Sequence, residues 1–320
     1  MSQSTLAKAA TVKLIDPRIV SGNPENPRLI FRQEELQALQ DSIASQGILV
    51  PVSVYVEGNS YVLLDGERRW RCAVKLSLGH IPAIIQPKPD RLQNIMMMFA
   101  IHNSRKDWDP LPTAYKLRDL QGEFTKRNSR PPTEAELAEL ASLSRGEVRR
   151  LRQLLALPET YRDELMDELK KPHSEQVITV DHVLETTRGA SALQKRGVIN
   201  ARDEDRLRRA ILDKFRSKVE RNTVAPRQLA RIARAVERNE IPIAVARSVT
   251  RRLMDEPKFS IESAFAASVE QVDFEHSLEQ LIGRLQLNLD LHSQRGYEVS
   301  AHLHQTLQHL AQSIRRFLSQ

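Results

Sequence analysis

The sequence is 320 residues long, which is enough for two or three domains with cores of their own. It carries 48 Lys and Arg against 41 Asp and Glu, and the formal charge of +7 favours a polyanionic partner. The single cysteine excludes an intramolecular disulfide and a thiolate metal cluster, and no apolar run is long enough for a membrane span, so a cytoplasmic protein is expected.

The first ninety residues predict a small α+β domain, because helical and strand patterns alternate along this segment. The expected elements are an extended segment at 12–15, a helix at 34–45 closed by Gly47, a hairpin of strands at 52–56 and 61–64 that turns at Gly58-Asn59, and a strand at 81–85. Pro82 predicts that the last strand starts at an edge of the sheet, because proline has no N–H to pair.

An arginine-rich stretch joins the second hairpin strand to a helix that is expected to run through Leu78 and stop at Gly79. Arg68, Arg69 and Arg71 fall within its first two turns, where unpaired N–H groups and the helix dipole favour an anion. The stretch is therefore a candidate phosphate site. A surface turn with solvated arginines is the alternative interpretation.

The next part of the chain predicts helices followed by a helix-turn-helix motif. The expected helices are an apolar one at 91–102, whose methionine run belongs to a core, and a second at 111–127. Thr133 and Glu136 then form a capping box, and Ser144 can cap another helix after a tight turn at Ser142. Apolar side chains follow helical spacing on both helices: Leu137, Ala138, Leu140, Val148, Leu151, Leu154 and Leu155. Two helices around a tight turn fit helix-turn-helix geometry.

The second helix of this pair carries arginines that lie off its apolar stripe. Arg145 and Arg149 lie nearest its N-terminal end, which reaches furthest into a major groove, so we expect them to contact bases. Arg150 and Arg152 are expected to contact phosphates. The candidate DNA-binding residues are Thr133, Ser144, Arg145, Arg149, Arg150 and Arg152. A solvated basic face is the alternative.

Residues 160–255 also have helical patterns, and the segment 188–251 holds seventeen Lys and Arg against seven Asp and Glu. A helix that starts near Pro226 is predicted to bury one face and to present arginines on the other. The arginines are Arg227, Arg231, Arg234 and Arg238. This face suits contacts with DNA phosphates, and a solvated face is again the alternative.

Beyond Pro257 the pattern predicts a helical hairpin that is interrupted at Gly296. Its apolar positions are Leu278, Leu281, Ile282, Leu285 and Leu289, followed by Leu303, Leu307, Leu310, Ile314 and Phe317 at coiled-coil spacing. We predict a homodimer through this hairpin, with a hairpin that folds back on its own chain as the alternative. His302, His304 and His309 lack carboxylates or thiols at ligand spacing, so a metal site is not expected.

Four segments, in this order along the chain, resemble the motifs of the ParB family of partition proteins. They are Asn23–Arg28 against NPxxPR, Ser42–Pro51 against SI…G…QP, Gly66–Ala73 against GERRxRA, and Leu140–Pro158 against the family's DNA-reading run. The matches cover roughly residues 12–165, and their order makes them more specific than any one motif.

The resemblance implies an α+β N-terminal ParB/sulfiredoxin-like domain, an all-α helix-turn-helix domain and a helical C-terminal region. Together with the patterns it predicts a nucleotide-binding domain at 1–90, a DNA-binding domain at 91–170, a basic helical region at 171–256 and a dimerisation segment at 257–320.

By resemblance the arginine-rich stretch binds CTP, with Mg²⁺ as a candidate companion ion. The implied nucleotide-binding residues are Gly47, Gly66, Glu67, Arg68, Arg69, Arg71 and Arg105. Glu67 is placed to orient a guanidinium or to face a metal. Arg105 matches the family's ENxxRxDL box, but Ile101 and His102 stand where the family has the Glu and Asn that serve magnesium binding and hydrolysis. We therefore expect at most a weak CTPase.

The resemblance implies a sequence-specific DNA-binding protein for plasmid or chromosome partition that works as a CTP-regulated dimeric clamp. A partner ATPase of the ParA type and a nucleoid- or plasmid-associated location are implied with it. A helix-turn-helix transcriptional or nucleoid regulator with a degenerate nucleotide site is the alternative. Reductase chemistry of the sulfiredoxin type is not expected, because Cys72 falls inside the predicted helix and not ahead of it.

Overall fold

The computed structural model describes residues 11–103 and 109–319. The chain divides into two compact units, one formed by Met1–Arg188 with Arg208–Val224 and the other by Gly189–Leu207 with Ala225–Gln320. The α+β class predicted for the N-terminal part and the helical class predicted for the rest are both confirmed. The domain boundaries predicted at residues 90, 170 and 256 stay predictions.

Among the described residues, the first unit contains one five-stranded sheet. Its strands are β1 (Val12–Ile15), β2 (Val20–Ser21), β3 (Val52–Glu57), β4 (Ser60–Asp65) and β5 (Ile81–Gln86), in the order β1-β5-β3-β4-β2. Neighbours β1/β5 and β3/β4 are antiparallel, and β5/β3 and β4/β2 are parallel. The predicted hairpin is the β3–β4 pair, with Gly58 at a φ of +60° in its turn.

The prediction that Pro82 lies at a sheet edge is wrong. Strand β5 lies inside the sheet between β1 and β3, and Pro82 stands opposite Leu14 of β1. The fold accommodates the proline because pairing with β3 begins only at Ala83, one residue later. The edge is instead β1, whose Val12 and Leu14 are exposed.

Helices cover both faces of this sheet. They are α1 (Gln33–Gln46), α2 (Glu67–Lys75) and α3 (Arg91–Asn103). One face packs Val52, Val54 and Leu63 with Ala73 of α2, and the other packs Tyr55, Val62 and Leu64 with Met98 of α3. The methionine run therefore contributes to a core, as its spacing predicts.

Helix α2 ends three residues earlier than predicted, at Lys75. Ser77 takes the left-handed conformation at a φ of +54°, and the Leu78 N–H donates to the Ala73 carbonyl. These bonds complete a Schellman turn without glycine. The prediction was wrong because it took Gly79 as the helix stop, whereas Ser77 adopts the left-handed conformation that ends the helix.

The helix-turn-helix lies within a group of four helices of the first unit, α4 (Pro110–Asn128), α5 (Glu134–Leu140), α6 (Arg145–Leu155) and α7 (Glu159–Lys170). Thr133 and Ser144 form complete capping boxes with Glu136 and Glu147. Ser142 stands in the turn at a φ of +52°, where glycine is usual, and closes α5 by a second Schellman turn. The predicted motif is thus confirmed in its geometry.

The remaining helices are α8 (Val180–Lys195), α9 (Ala201–Arg216), α10 (Arg227–Glu237), α11 (Ile243–Asp255), α12 (Ile261–Ala266), α13 (Glu270–Gln294) and α14 (Ala301–Leu318). Among the described residues, neither α13 nor α14 has a buried side chain, and Leu281 and Phe317 expose more than half of their surface. None of the helices in residues 11–103 and 109–319 combines the length and hydrophobicity that a bilayer crossing requires.

The left-handed serine in the recognition turn yields a stability prediction. Substitution Ser142→Gly should raise the free energy of unfolding by about 0.5–1 kcal/mol, because a side chain at positive φ costs about 1–2 kcal/mol and glycine returns part of this through its greater freedom when unfolded. Urea titration measures the change. The control Ser45→Gly, inside α1, should lower the same quantity by up to about 1 kcal/mol. A lower stability of Ser142→Gly would contradict the explanation.

Candidate nucleotide pocket and DNA-contacting helices

A pocket of about 220 Å³ opens where β4 ends and α2 begins. Its lining residues come from four segments: Asn23, Asn26, Arg28 and Phe31; Leu39; Leu63, Leu64, Asp65, Gly66, Glu67, Arg68 and Arg69; and Met98. Apolar side chains of the two sheet faces form part of the wall, and the turn into α2 supplies the charged groups. The structure thus brings together four of the predicted nucleotide-binding residues, Gly66, Glu67, Arg68 and Arg69.

Gly66 fixes the direction in which α2 leaves the sheet. Its φ is +95°, and a Cβ on it would lie 2.7 Å from the Val52 Cγ1 and 3.0 Å from the Arg69 guanidinium. Both the backbone conformation and this close approach require glycine. Its carbonyl accepts from the Trp70 N–H and so starts the helix. The N-terminal N–H groups of α2 therefore lie at the pocket wall.

The guanidinium groups of α2 all have protein partners. Arg68 donates to the Glu35 carbonyl of α1 at 2.5 Å. Arg69 donates to the Val50 and Pro51 carbonyls and to Asp65 Oδ2, at 2.5, 2.9 and 3.1 Å. Each arginine on this turn is therefore held in position before any ligand arrives.

Arg71 is paired with a carboxylate of its own helix. It makes two bonds to Glu67 Oε1, at 2.6 and 3.0 Å, and stacks 4.0 Å above the Phe31 ring. Its side chain stands beside the residues that form the pocket wall. The predicted role of Glu67 as an orienter of a guanidinium matches this contact, and the structure aims its carboxylate at protein donors.

One donor in the pocket stands apart from this pattern. The Nε of Arg68 is buried and, among the residues that the structure describes, meets no hydrogen-bond acceptor. A buried donor without an acceptor lowers the stability of the fold, and the loss is larger when the group is charged. A ligand oxygen beside Arg68 would satisfy it.

The segment 23–28 forms a further part of the wall through its amides. The Asn23 and Asn94 amides bond to each other in both directions, at 2.8 and 3.0 Å, in a buried site. Asn26 Nδ2 donates to Glu67 Oε2 at 2.6 Å. Sequence analysis used this segment as a family motif and did not assign it to the pocket, although the motif itself was the signal.

An ion network behind the pocket ties α1 to later helices. Arg32 is buried and donates to Glu35 and Asp109, and also to the carbonyls of Leu169 and Lys171 at the end of α7. Burial acts to raise the pKa of Glu35, but hydrogen bonding to Arg32 and the charge of Arg28 outweigh it, and the pKa lies below its usual value.

The other predicted nucleotide-binding residues lie elsewhere. Gly47 ends α1 at a φ of +71° and does not line the pocket, and Arg105 lies outside the described residues. Ile101 is partly buried against the Tyr55–Met98 cluster, so an apolar side chain occupies the position that carries Glu in the family. Within the described ranges no group of three His, Cys, Asp or Glu could hold a metal ion.

Cys72 is buried in α2, and burial raises the pKa of its thiol. A buried, protonated thiol is a poor nucleophile. The expectation that sulfiredoxin-type chemistry is absent stays a prediction.

The α6 arginines differ in what they contact. Arg149 pairs with Glu134 at 3.1 Å, Arg150 with Asp181 at 2.8 Å, and Arg152 bonds to Gln121 at 3.2 Å. Arg145 is exposed and has no partner within the part of the chain that the structure describes. Thr133 and Ser144 accept bonds from the backbone as helix caps. The N-terminal end of α6 therefore presents a free guanidinium.

Three comparisons relate the chain to known proteins. Residues 1–102 match the family model of the ParB N-terminal domain. The probable chromosome-partitioning protein ParB of Neisseria meningitidis serogroup A is 32% identical over 201 residues, which are 62% of this chain and 67% of the relative. Its counterpart in Pseudomonas putida is 30% identical over 198 residues, which are 61% of this chain and 66% of that protein.

Solved structures are similar as well. The C-terminally truncated chromosome-partitioning protein ParB from Caulobacter crescentus, complexed with CTP-gamma-S, is 28% identical, with a TM-score of 0.28, over 50% of this chain and 86% of that one. The same protein complexed to the centromeric parS site is 21% identical, with a TM-score of 0.37, over 75% of this chain and 99% of that one.

The network around Glu35 predicts an acid-sensitive stability. A carboxyl whose pKa is lowered by folding stabilises the fold at pH values above its unfolded pKa, and this contribution is lost as the pH falls through the folded pKa. The free energy of unfolding, measured by urea titration from pH 6 to pH 3, should fall, and Glu35→Gln should flatten the decline. The matched control Glu139→Gln removes an exposed carboxylate of α5 and should leave the slope unchanged. An equal slope for Glu35→Gln and the parent would contradict the assignment.

Proposed function

This chain belongs to the ParB family of chromosome-partitioning proteins, and we propose that it binds CTP in the pocket at α2 and duplex DNA through α5 and α6. Its role would be the partition of a chromosome or a plasmid. The nucleotide and the DNA would bind to separate parts of the first unit, and the nucleotide would control how the dimer holds DNA.

The buried Nε of Arg68 is the observation that carries nucleotide binding. It is a charged donor that has no acceptor among the described residues, and it lies in a pocket beside the N-terminal end of a helix. A phosphate oxygen satisfies such a donor and is favoured by the helix dipole. By the GERRxRA resemblance, the ligand of this turn would be a triphosphate with cytosine as its base.

The ion pairs at Arg69 and Arg71 do not prevent phosphate binding. Both pairs join residues four apart and are partly buried. A guanidinium hydrogen bond to a charged group contributes about 1.5–3 kcal/mol whether the acceptor is a carboxylate or a phosphate, but a triphosphate carries several negative charges and each carboxylate carries one. A triphosphate would therefore compete with Asp65 and Glu67 for these side chains.

Release of Glu67 would link the ligand to the segment 23–28. Glu67 accepts from both Arg71 and Asn26, so a phosphate that takes Arg71 changes the charge balance around the Asn26 amide. We propose that this exchange moves the N-terminal segment between two states. In the family, nucleotide binding closes the N-terminal domains into a clamp that slides from its loading site, and a population shift of this kind would serve it.

DNA reading is proposed for the N-terminal end of α6. The capping boxes of α5 and α6 fix the two helices around Ser142, and Arg145 extends from the first turn of α6 without a protein partner in the described chain. Arg149 lies one turn further on and pairs with Glu134 at an exposed site. Arg145 and Arg149 would make base or near-base contacts, and Arg150 and Arg152 would contact phosphates. Arg149, Arg150 and Arg152 would first exchange their present partners.

Homodimerisation is proposed for the C-terminal helices. Their apolar side chains are exposed in the described chain, and a second copy would cover them. A ParA-type ATPase is the partner that the family implies. Mg²⁺ would accompany the triphosphate through its phosphate oxygens, and hydrolysis is at most weak because Ile101 fills the position of the family's Glu.

A static DNA-binding regulator is the second candidate function. The packing of Ile101 in the hydrophobic cluster favours it, since a carboxylate at that place would serve a metal and isoleucine cannot. Genome-wide crosslinking separates the two functions. A signal that spreads over many kilobases around one site supports a sliding clamp, and narrow peaks support the regulator.

Substitution of Arg68 tests the nucleotide site. CTP binding to the full chain, measured by isothermal titration, should weaken by about 10- to 100-fold in Arg68→Ala, because a charged hydrogen bond of about 1.5–3 kcal/mol is lost. The control Lys75→Ala removes an exposed cation from the same helix and should bind CTP like the parent. Equal binding by Arg68→Ala and the parent would rule out this pocket.

Substitution of Arg145 tests the DNA site. The duplex is the fragment most enriched by crosslinking of the parent chain. Arg145→Ala should bind it about 10- to 100-fold more weakly, since one bidentate base contact contributes about 1–3 kcal/mol of discrimination. Binding to an unrelated duplex should change much less. The control Lys170→Ala lies on α7 and should match the parent, and equal losses on both duplexes would mean that Arg145 contacts only phosphates.

A further inference from the structure

A second cleft lies between α10 and the first turns of α13, inside the second unit, and the function proposed above leaves it without a role. Its volume is about 250 Å³. The lining is polar apart from Ala235 and Val269: Arg231, Arg234, Arg238, Glu240, Asp273, His276, Ser277 and Gln280. One water occupies about 30 Å³ in the liquid, so the cleft is large enough for a polyatomic ligand. Its polar lining suits a charged ligand and not an apolar one.

The shape of α10 produces the basic side of this cleft. Leu229, Ile232 and Ala233 are buried on one face of the helix, and Arg231, Arg234 and Arg238 follow one another at three- and four-residue steps on the other. Side chains at these steps lie one above another. The arginines therefore form one column along the cleft.

The end of α10 adds a carboxylate to this column. Asn239 takes the left-handed conformation at a φ of +59°, and the Glu240 N–H donates to the Ala235 carbonyl at 2.9 Å. This turn brings the Glu240 carboxylate to 3.6 Å from the Arg238 guanidinium. Arg238 thus has an acidic neighbour from its own chain segment.

The charges of the cleft do not balance. Asp273 of α13 pairs with Arg231 at 2.8 Å, and Glu240 pairs with Arg238. Arg234, between them, is exposed and has no ion-pair or hydrogen-bond partner among the described residues. Three guanidiniums face two carboxylates, and the unpaired one lies in the middle of the column.

We propose that this cleft binds a phosphate group and that the group belongs to the DNA backbone. A guanidinium offers two parallel N–H donors that match two phosphate oxygens. Arg234 would bind first, and Arg231 and Arg238 would add donors by exchanging their partly exposed carboxylates, Asp273 and Glu240, for phosphate oxygens. The α10 side of the cleft belongs to the segment 188–251, where basic residues outnumber acidic ones seventeen to seven, which favours a polyanion over a free monoanion.

The salt dependence of DNA binding tests this proposal. The full chain binds a duplex that lacks the crosslinked site, in the absence of nucleotide, so the outcome is independent of base reading by α6 and of the CTP pocket. Arg234→Ala should lower the slope of log Kobs against log salt by about 0.9, the value for one lost phosphate contact. The matched control Arg251→Ala removes an exposed arginine of α11 that does not line the cleft, and it should retain the parent slope.

Substitution of Asp273, the acidic partner of Arg231, should change duplex affinity in the opposite direction. Asp273→Asn removes the carboxylate that holds Arg231, so it should bind the same duplex several-fold more tightly than the parent. Thermal unfolding of all three variants should match that of the parent, because the substituted side chains are exposed or half-buried. Tighter binding by Asp273→Asn together with weaker binding by Arg234→Ala would be difficult to attribute to misfolding.

A titration with inorganic phosphate separates the two sources of the group. If Arg234→Ala keeps the parent slope, DNA is not the ligand. If phosphate then raises the unfolding temperature of the parent and not of Arg234→Ala, the cleft binds a small phosphorylated molecule instead. If neither measurement distinguishes Arg234→Ala from the parent, the cleft is not a phosphate site and the proposal is wrong.

Discussion

The left-handed turn at Gly66 is the constraint on which the candidate pocket depends. It directs α2 away from the end of β4, and this brings the first turn of the helix, Arg68 and Arg69 to one wall. Any side chain at this position would collide with Val52 in the centre of the sheet. The pocket is therefore built from the same contact that closes the core, and loss of that contact would affect fold and site together.

Much of the molecule's architecture could be predicted from local patterns. The helix caps at Thr133 and Ser144 and the strand predicted at 52–56 rest on short-range signals, and each was confirmed. Failures occurred where distant residues decide the outcome. Pro82 is inside the sheet because β1, some seventy positions earlier, pairs with β5, and spacing along one segment cannot indicate this.

In the candidate site, too, local signals could be predicted and contacts between distant residues could not. The arginine turn, with Glu67 placed to orient one guanidinium, could be predicted from the local sequence, but the distant partners of these side chains could not. In the structure Arg68 bonds to the carbonyl of Glu35, and Glu67 bonds to Asn26, across separations of thirty-three and forty-one residues. At both α2 and α10, carboxylates or carbonyls lie beside the arginines. These partners hold the guanidiniums in position, and a ligand has to displace them.

The buried Arg32 affects where this protein can be truncated. Its guanidinium reaches across to the main-chain oxygens of Leu169 and Lys171, so the sheet region relies on acceptors that are encoded well over a hundred residues downstream. A fragment that stops at the end of α3 would keep Arg32 but lose three of its four hydrogen-bond acceptors, Asp109 and the carbonyls of Leu169 and Lys171. For that fragment to fold independently, Arg32 would also have to be replaced.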